Sequence, residues 1–235
     1  MSQSSVVAFV IAISMAIVSP AYGQKVILEE HFPGGTEAFW EKFQANFEFP
    51  ESTLKNRHYG TSLISLTINS DGLPIRSQIH SQIDPHISKA IAKALSKMEN
   101  DWKSFPESTE LHISIRFSYN SDYYNVLKVD KSLLKKEFAE FSYIQEIEEK
   151  VPFNYKKDYN KILKAARTAY KNAALREARG EYSRLIAINP YELDFYTRRI
   201  EIETVTGVSN FACNDVKVLQ HILNYNGEVL LHGCK

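Results

Sequence analysis

Leu63-Ile64-Ser65-Leu66-Thr67-Ile68, then Asn69-Ser70-Asp71-Gly72, then the extended run Ile75 to Ile83: this stretch decides the fold. Apolar and polar residues alternate on both sides of a short Asp-Gly loop, the strongest local sign of a β-hairpin. In the first strand Ile64, Leu66 and Ile68 face one way, and Ser65 and Thr67 face the other. The second strand puts Ile75, Ile79 and Ile83 on one face and Arg76, Gln78, His80 and Gln82 on the opposite one. A sheet with one apolar and one polar face is expected to be covered on a single side.

Working outward, Lys25 to Leu28 reads as a short edge strand and His31 to Thr36 as a turn. Between Glu37 and Phe47, Phe39, Trp40, Phe43 and Phe47 recur at helical spacing and form the face that packs on the sheet. Downstream, Asp84-Pro85 starts a helix with Asp as N-cap and Pro in the first turn. Ile87, Ile91, Ala94, Leu95 and Met98 make its apolar stripe. Leu111, Ile113, Ile115 and Phe117 then alternate with His112, Ser114, Arg116 and Ser118, the clearest strand in the chain. The expected fold class is α+β, an αββαβ two-layer domain. The crossover helix sets the third strand beside the first, giving a three-stranded antiparallel sheet of order 2-1-3 with the third strand as a free edge.

His31-Phe32-Pro33-Gly34-Gly35, the aromatic helix, Phe49-Pro50, Gly60, the alternating strand, Asp71-Gly72, a helix ending in Met98, Trp102 and the final strand occur in this order. Over roughly residues 30 to 118 the pattern resembles the C-terminal domain of the TonB family, in its Phe-Pro-Gly-Gly-containing variant. Phe49 stands where Tyr precedes Pro in that family, and Thr53 where a small Ala is usual. The resemblance implies β-augmentation, the capture of an extended partner segment along a sheet edge. Carried over, the peptide-binding edge is Leu111, His112, Ile113, Ser114, Ile115, Arg116 and Phe117. The partner it implies is a protein or peptide of the cell envelope, an outer-membrane transporter in the family's own case. Motor-type members have a membrane helix and a long Pro-rich spacer, and no Pro-rich segment occurs here.

Lys131 to about Glu149, with Leu133, Leu134, Phe138, Phe141 and Ile144, reads as a helix, and the chain reads as helical from Asp158 onward. Ala178-x3-Tyr182-x2-Leu185-x2-Ile188 recurs 34 residues later as Ala212-x3-Val216-x2-Leu219-x2-Ile222. That period, with Asn189-Pro190 at the repeat end, is similar to tetratricopeptide repeats in degenerate form. Stacked helix pairs of this kind offer a concave peptide-binding face. The basic residues Lys164, Arg167 and Lys171 are either a solvated helix face or a groove for an acidic peptide.

The organisation expected is therefore a signal peptide (1–23), a TonB C-terminal-like domain (24–120), a linker and helix (121–152) and an all-α, helical-repeat-like domain (153–235). Val6 to Val18 is apolar and is followed by Pro20 and by Ala21-x-Gly23, which describes a cleavable export signal. The destination is the periplasm; an uncleaved segment would instead anchor the protein in the inner membrane. Export makes a Cys213–Cys234 disulfide the expected state of the chain's two cysteines.

Lys plus Arg and Asp plus Glu both number 28, which argues against nucleic acid as the partner. Hydrophobic residues are 44% of the chain, enough for real cores. No His-x3-His, Cys-x2-Cys, His-Glu-x2-His, Gly-x-Ser-x-Gly or phosphate loop occurs. The expectation is a non-catalytic interaction module with no cofactor, metal or small-molecule substrate. The alternative is an anchored accessory component of TonB-dependent outer-membrane transport.

Overall fold

The structure, a computed structural model, describes residues 24–119, 136–145 and 153–223. Four strands form one mixed sheet of order β2-β1-β3-β4: β1 (Gly60–Ile68), β2 (Pro74–Ile79), β3 (Thr109–Ser118) and β4 (Ala139–Ile144). The 2-1-3 antiparallel arrangement is present, with Ser65 opposite Gln78 on one side and His112 on the other. The hairpin loop closes through Asn69, whose side chain accepts from the N–H groups of Asp71 and Leu73.

Several expectations need correction. The sheet is not three-stranded, because β4 pairs parallel with β3, from Ile113 opposite Ala139 to Ser118 opposite Ile144. The helix expected from Lys131 to about Glu149 is instead a strand over Ala139–Ile144 among its described residues. Ala139 and Phe141 are buried while Glu140 and Ser142 are exposed, a period of two that the Phe138/Phe141 spacing disguised. Lys25–Leu28 is not an edge strand but part of helix α1 (Gln24–His31), which buries Ile27 and Leu28.

The apolar sheet face is covered by α1, α2 (Gly35–Asn46), α3 (Glu51–Asn56) and α4 (Pro85–Ser96). Asp84 caps α4 as expected, accepting from the N–H groups of His86 and Ile87. Phe39 and Phe43 of α2 are fully buried. Phe141 of β4 stacks on Trp40 at 4.8 Å, and Tyr143 meets Phe47 edge-on at 5.0 Å. These aromatic contacts explain why β4 stays on β3: it brings apolar surface that α2 is already presenting.

The polar face is covered too, contrary to expectation. Four helices lie over it: α5 (Tyr155–Lys171), α6 (Leu175–Ile188), α7 (Leu193–Val205) and α8 (Ser209–His221). Leu63, on the Ser65 side of β1, joins Tyr59, Tyr119 and Phe138 in the core of that helical layer. Ser114 and Tyr191 share a hydrogen bond of 2.9 Å, and the Tyr119 N–H donates to the Tyr155 hydroxyl at 2.7 Å. At Gly60 (φ 151°) a Cβ would stand 2.3 Å from the Ala187 carbonyl oxygen, so only glycine admits the close approach of α6. The architecture is three layers, helix on sheet on helix.

The 34-residue repeat is legible in the packing. Ala178, Tyr182, Leu185 and Ile188 of α6 are buried, as are their counterparts Ala212, Val216, Leu219 and Ile222 in and just after α8. Cys213 is disulfide-bonded; Cys234, the only other cysteine of the sequence, lies outside the described residues, as does the 1–23 segment. Among the described residues no helix is long and apolar enough to cross a membrane.

Candidate functional site: the sheet edges and the roofed polar face

Strand β3 does not offer the free edge expected of Leu111, His112, Ile113, Ser114, Ile115, Arg116 and Phe117. It lies between β1 and β4, and Leu111 through Ile115 and Phe117 are buried. The position anticipated for a foreign strand is taken by the chain's own residues 139–144.

The outer antiparallel edge is β2. Its backbone direction follows from one bond: the His80 N–H donates to the Leu63 carbonyl at 2.7 Å. Antiparallel ladders alternate. The N–H and C=O groups of Gln78 and Arg76 therefore also point at β1, and those of Ser77 and Ile79 point away from it; Ile75 is the extra residue of a bulge, where the register shifts between Arg76 and Pro74. No described strand pairs with that outer side. Ile75 (62% exposed) and the preceding Leu73 (47%) add uncovered apolar surface beside these backbone groups.

Beneath the sheet, where helices meet the polar face, lies a hydrogen-bonded chain the sequence reading did not assemble. Glu110 Oε2 is 3.4 Å from His112 Nε2, His112 Nδ1 is 3.0 Å from Ser65 Oγ, and His80 Nε2 is 2.8 Å from the same hydroxyl. A carboxylate only accepts, so His112 holds its proton on Nε2 and its Nδ1 accepts from Ser65. The Ser65 oxygen in turn accepts from His80. Both imidazoles are neutral at pH 7. Burial, then the neighbouring His112 and Arg76, push His80 down to about 4 against the pull of Glu110. Burial and Lys136 lower His112 against the same carboxylate.

The order Glu-His-Ser matches a hydrolytic triad. Ser65, however, sits within the central strand, and the N–H groups flanking it belong to the ladders with β2 and β3. They are not free to stabilise an oxyanion. The chain adjoins a cavity of about 340 Å³ that Lys136, Lys217 and His221 also line. Its evident role is to fix the polar face under its roof. The alternation places both histidines on that face, and Ser65, on the strand between them, bridges them.

A second polar cluster lies elsewhere, within the sheet half of the chain. Asp84 Oδ2 accepts from Thr53 at 2.6 Å and lies 3.1 Å from His58 Nδ1. Burial alone would raise the Asp84 carboxyl; hydrogen bonds from Thr53, Ile87, His58 and His86 outweigh it and hold it below its ordinary value. Beside it a cleft of about 460 Å³ runs between the sheet and α5–α6. Thr53 thus has a partner that an alanine would lack.

The three basic groove residues do come together. Lys164, Arg167 and Lys171 are exposed on α5 and line one shallow depression of about 520 Å³. Among the described residues no group of three His, Cys, Asp or Glu side chains is arranged to hold a metal ion. No family model matches the chain, and neither a curated protein nor a solved structure resembles it measurably.

Proposed function

We propose that the protein is an exported, non-catalytic interaction module that takes up an extended partner segment by β-augmentation, at β2 and not at β3. The observation that carries this is the pair of outward backbone positions Ser77 and Ile79, flanked by exposed Ile75 and Leu73. An edge strand with exposed apolar residues is a template for another strand unless something blocks it. The pairing of β4 on β3 supports the same reading, because this sheet accepts an added strand where aromatic side chains accompany it. The disulfide at Cys213 and the apolar Val6–Val18 segment support an oxidising, exported setting.

The partner is an envelope protein presenting an extended segment, with the α5 depression as a second contact for acidic residues. Ser77→Pro tests the reading. The Ser77 N–H faces away from β1, so proline there removes an edge donor without breaking a ladder bond. Capture of the partner from an envelope fraction should be lost in this variant while its melting temperature stays near that of the parent. Undiminished capture would refute the β2 mechanism.

A further inference from the structure

Helix α5 carries six basic residues, Lys156, Lys157, Lys161, Lys164, Arg167 and Lys171, and a single acid, Asp158. The 28 basic and 28 acidic residues of the whole chain cancel, so everything outside α5 is net negative. At about 100° per residue, Lys157, Lys161, Lys164, Arg167 and Lys171 fall within an arc of about 120°, and Lys156 stands just beside it. The buried Tyr155, Ile162 and Ala166 lie on the opposite side of the helix. From Lys157 to Lys171 the row runs about 21 Å along the axis. All six cations are exposed.

Among the described residues, none of these six side chains makes a hydrogen bond or an ion pair. No carboxylate lines the depression that Lys164, Arg167 and Lys171 share, and Asp158 accepts from the Tyr59 hydroxyl at 2.9 Å. Arginines of the two following helices differ: Arg179 pairs with Glu203, Arg184 with Glu181, Arg198 with Asp194 and Glu201, and Arg199 with Asp215. Along the α5 row each cation stands three or four residues from the next, the spacing at which like charges destabilise a helix. An anionic counterpart would relieve that repulsion.

We infer that the exposed face of α5 docks on a membrane surface, against the headgroups of anionic phospholipids. The inference goes beyond the β2 reading and does not depend on it. A partner's acidic side chain engages one or two of these cations, whereas a plane of headgroups meets the whole row at once. All but one of the cations are lysines, compact point charges suited to a spread of phosphates; a site built for carboxylates draws on the planar arginine fork. The apolar side of α5 is buried in the protein core, so the helix rests on the headgroups without inserting. Each cation near such a surface strengthens binding about fivefold, and salt screens the attraction.

Co-sedimentation of the full chain with vesicles tests this, using phosphatidylglycerol and phosphatidylcholine in equal parts against phosphatidylcholine alone. At low salt the protein should partition onto the mixed vesicles at least tenfold more strongly than onto the neutral ones, and about 0.5 M salt should remove the difference. Reversing three charges of the row together, Lys157→Glu, Lys164→Glu and Lys171→Glu, should abolish the preference without lowering the melting temperature, because it relieves repulsion. Reversing three exposed lysines elsewhere, Lys89→Glu, Lys97→Glu and Lys217→Glu, makes the same change in net charge and should keep most of the preference. Ser77→Pro should bind the mixed vesicles as the parent does. Equal binding to both kinds of vesicle overturns the proposal, as does an equal loss in the two triple variants. Should the parent ignore the mixed vesicles yet bind hexaglutamate in isothermal titration, the occupant is an acidic segment and the lipid proposal fails. Binding of neither makes the row a solvated face and overturns it too.

Discussion

Acidification should weaken the sheet–helix junction through His80 before it touches the carboxylates. The unfolded chain takes up a proton on this imidazole near pH 6.5, whereas in the folded protein it does so near pH 4. Between those values the unfolded state binds more protons, so stability is retained above about pH 6.5 and lost as pH falls toward 4. Each pH unit of that window is worth about 1.4 kcal/mol, so His80 removes about 3 kcal/mol in all. Glu110 opposes the loss, Arg76 and His112 reinforce it, and the lowered His112 adds a loss of the same sign. Urea unfolding at pH 7, 6, 5 and 4, followed by tyrosine and tryptophan fluorescence, measures it against His80→Gln. That variant keeps an N–H donor near Ser65 but cannot titrate. The parent should lose about 3 kcal/mol more than the variant across the range. Parallel curves would show that His80 is solvated and that the Glu110–His112–Ser65–His80 chain does not form.

Further outcomes follow from packing. Gly60→Ala drives a Cβ against the Ala187 carbonyl and should cost about 1–3 kcal/mol in a thermal melt. Phe141→Ala removes the ring stacked on Trp40 and should cost about 3 kcal/mol, with β4 amides losing hydrogen-exchange protection before those of β1. Asp215→Ala leaves Arg199 buried without its bidentate partner and should cost about 3–5 kcal/mol by chemical denaturation.

The β1–β2 hairpin, the Asp84 cap and the 2-1-3 core were legible because each rests on local spacing or on a short crossover. What escaped depends on distant partners. Ala139 to Ile144 carries too few residues to separate period two from helical spacing, and only α2's aromatic face makes it a strand. Ser65, Thr67, His80 and His112 read as a solvated face because polar side chains there are usually wet. Here Ser65 and His112 are buried, and Thr67 and His80 half-buried, under a helical layer whose own sequence shows only that it packs on something. Arg199 and Glu203 sit four apart on α7, a visible pairing signal, yet each turned to a different partner: Arg199 to Asp215, and Glu203 to Arg179.

Amide-resolved hydrogen exchange tests the open-edge mechanism most directly. In the free protein the N–H groups of Arg76, Gln78 and His80 should be protected by β1, while those of Ser77 and Ile79 exchange rapidly. Adding an extended peptide that pairs with β2 should protect Ser77 and Ile79. If those two amides stay fast at saturating peptide, or are already protected without it, β2 is not the binding edge.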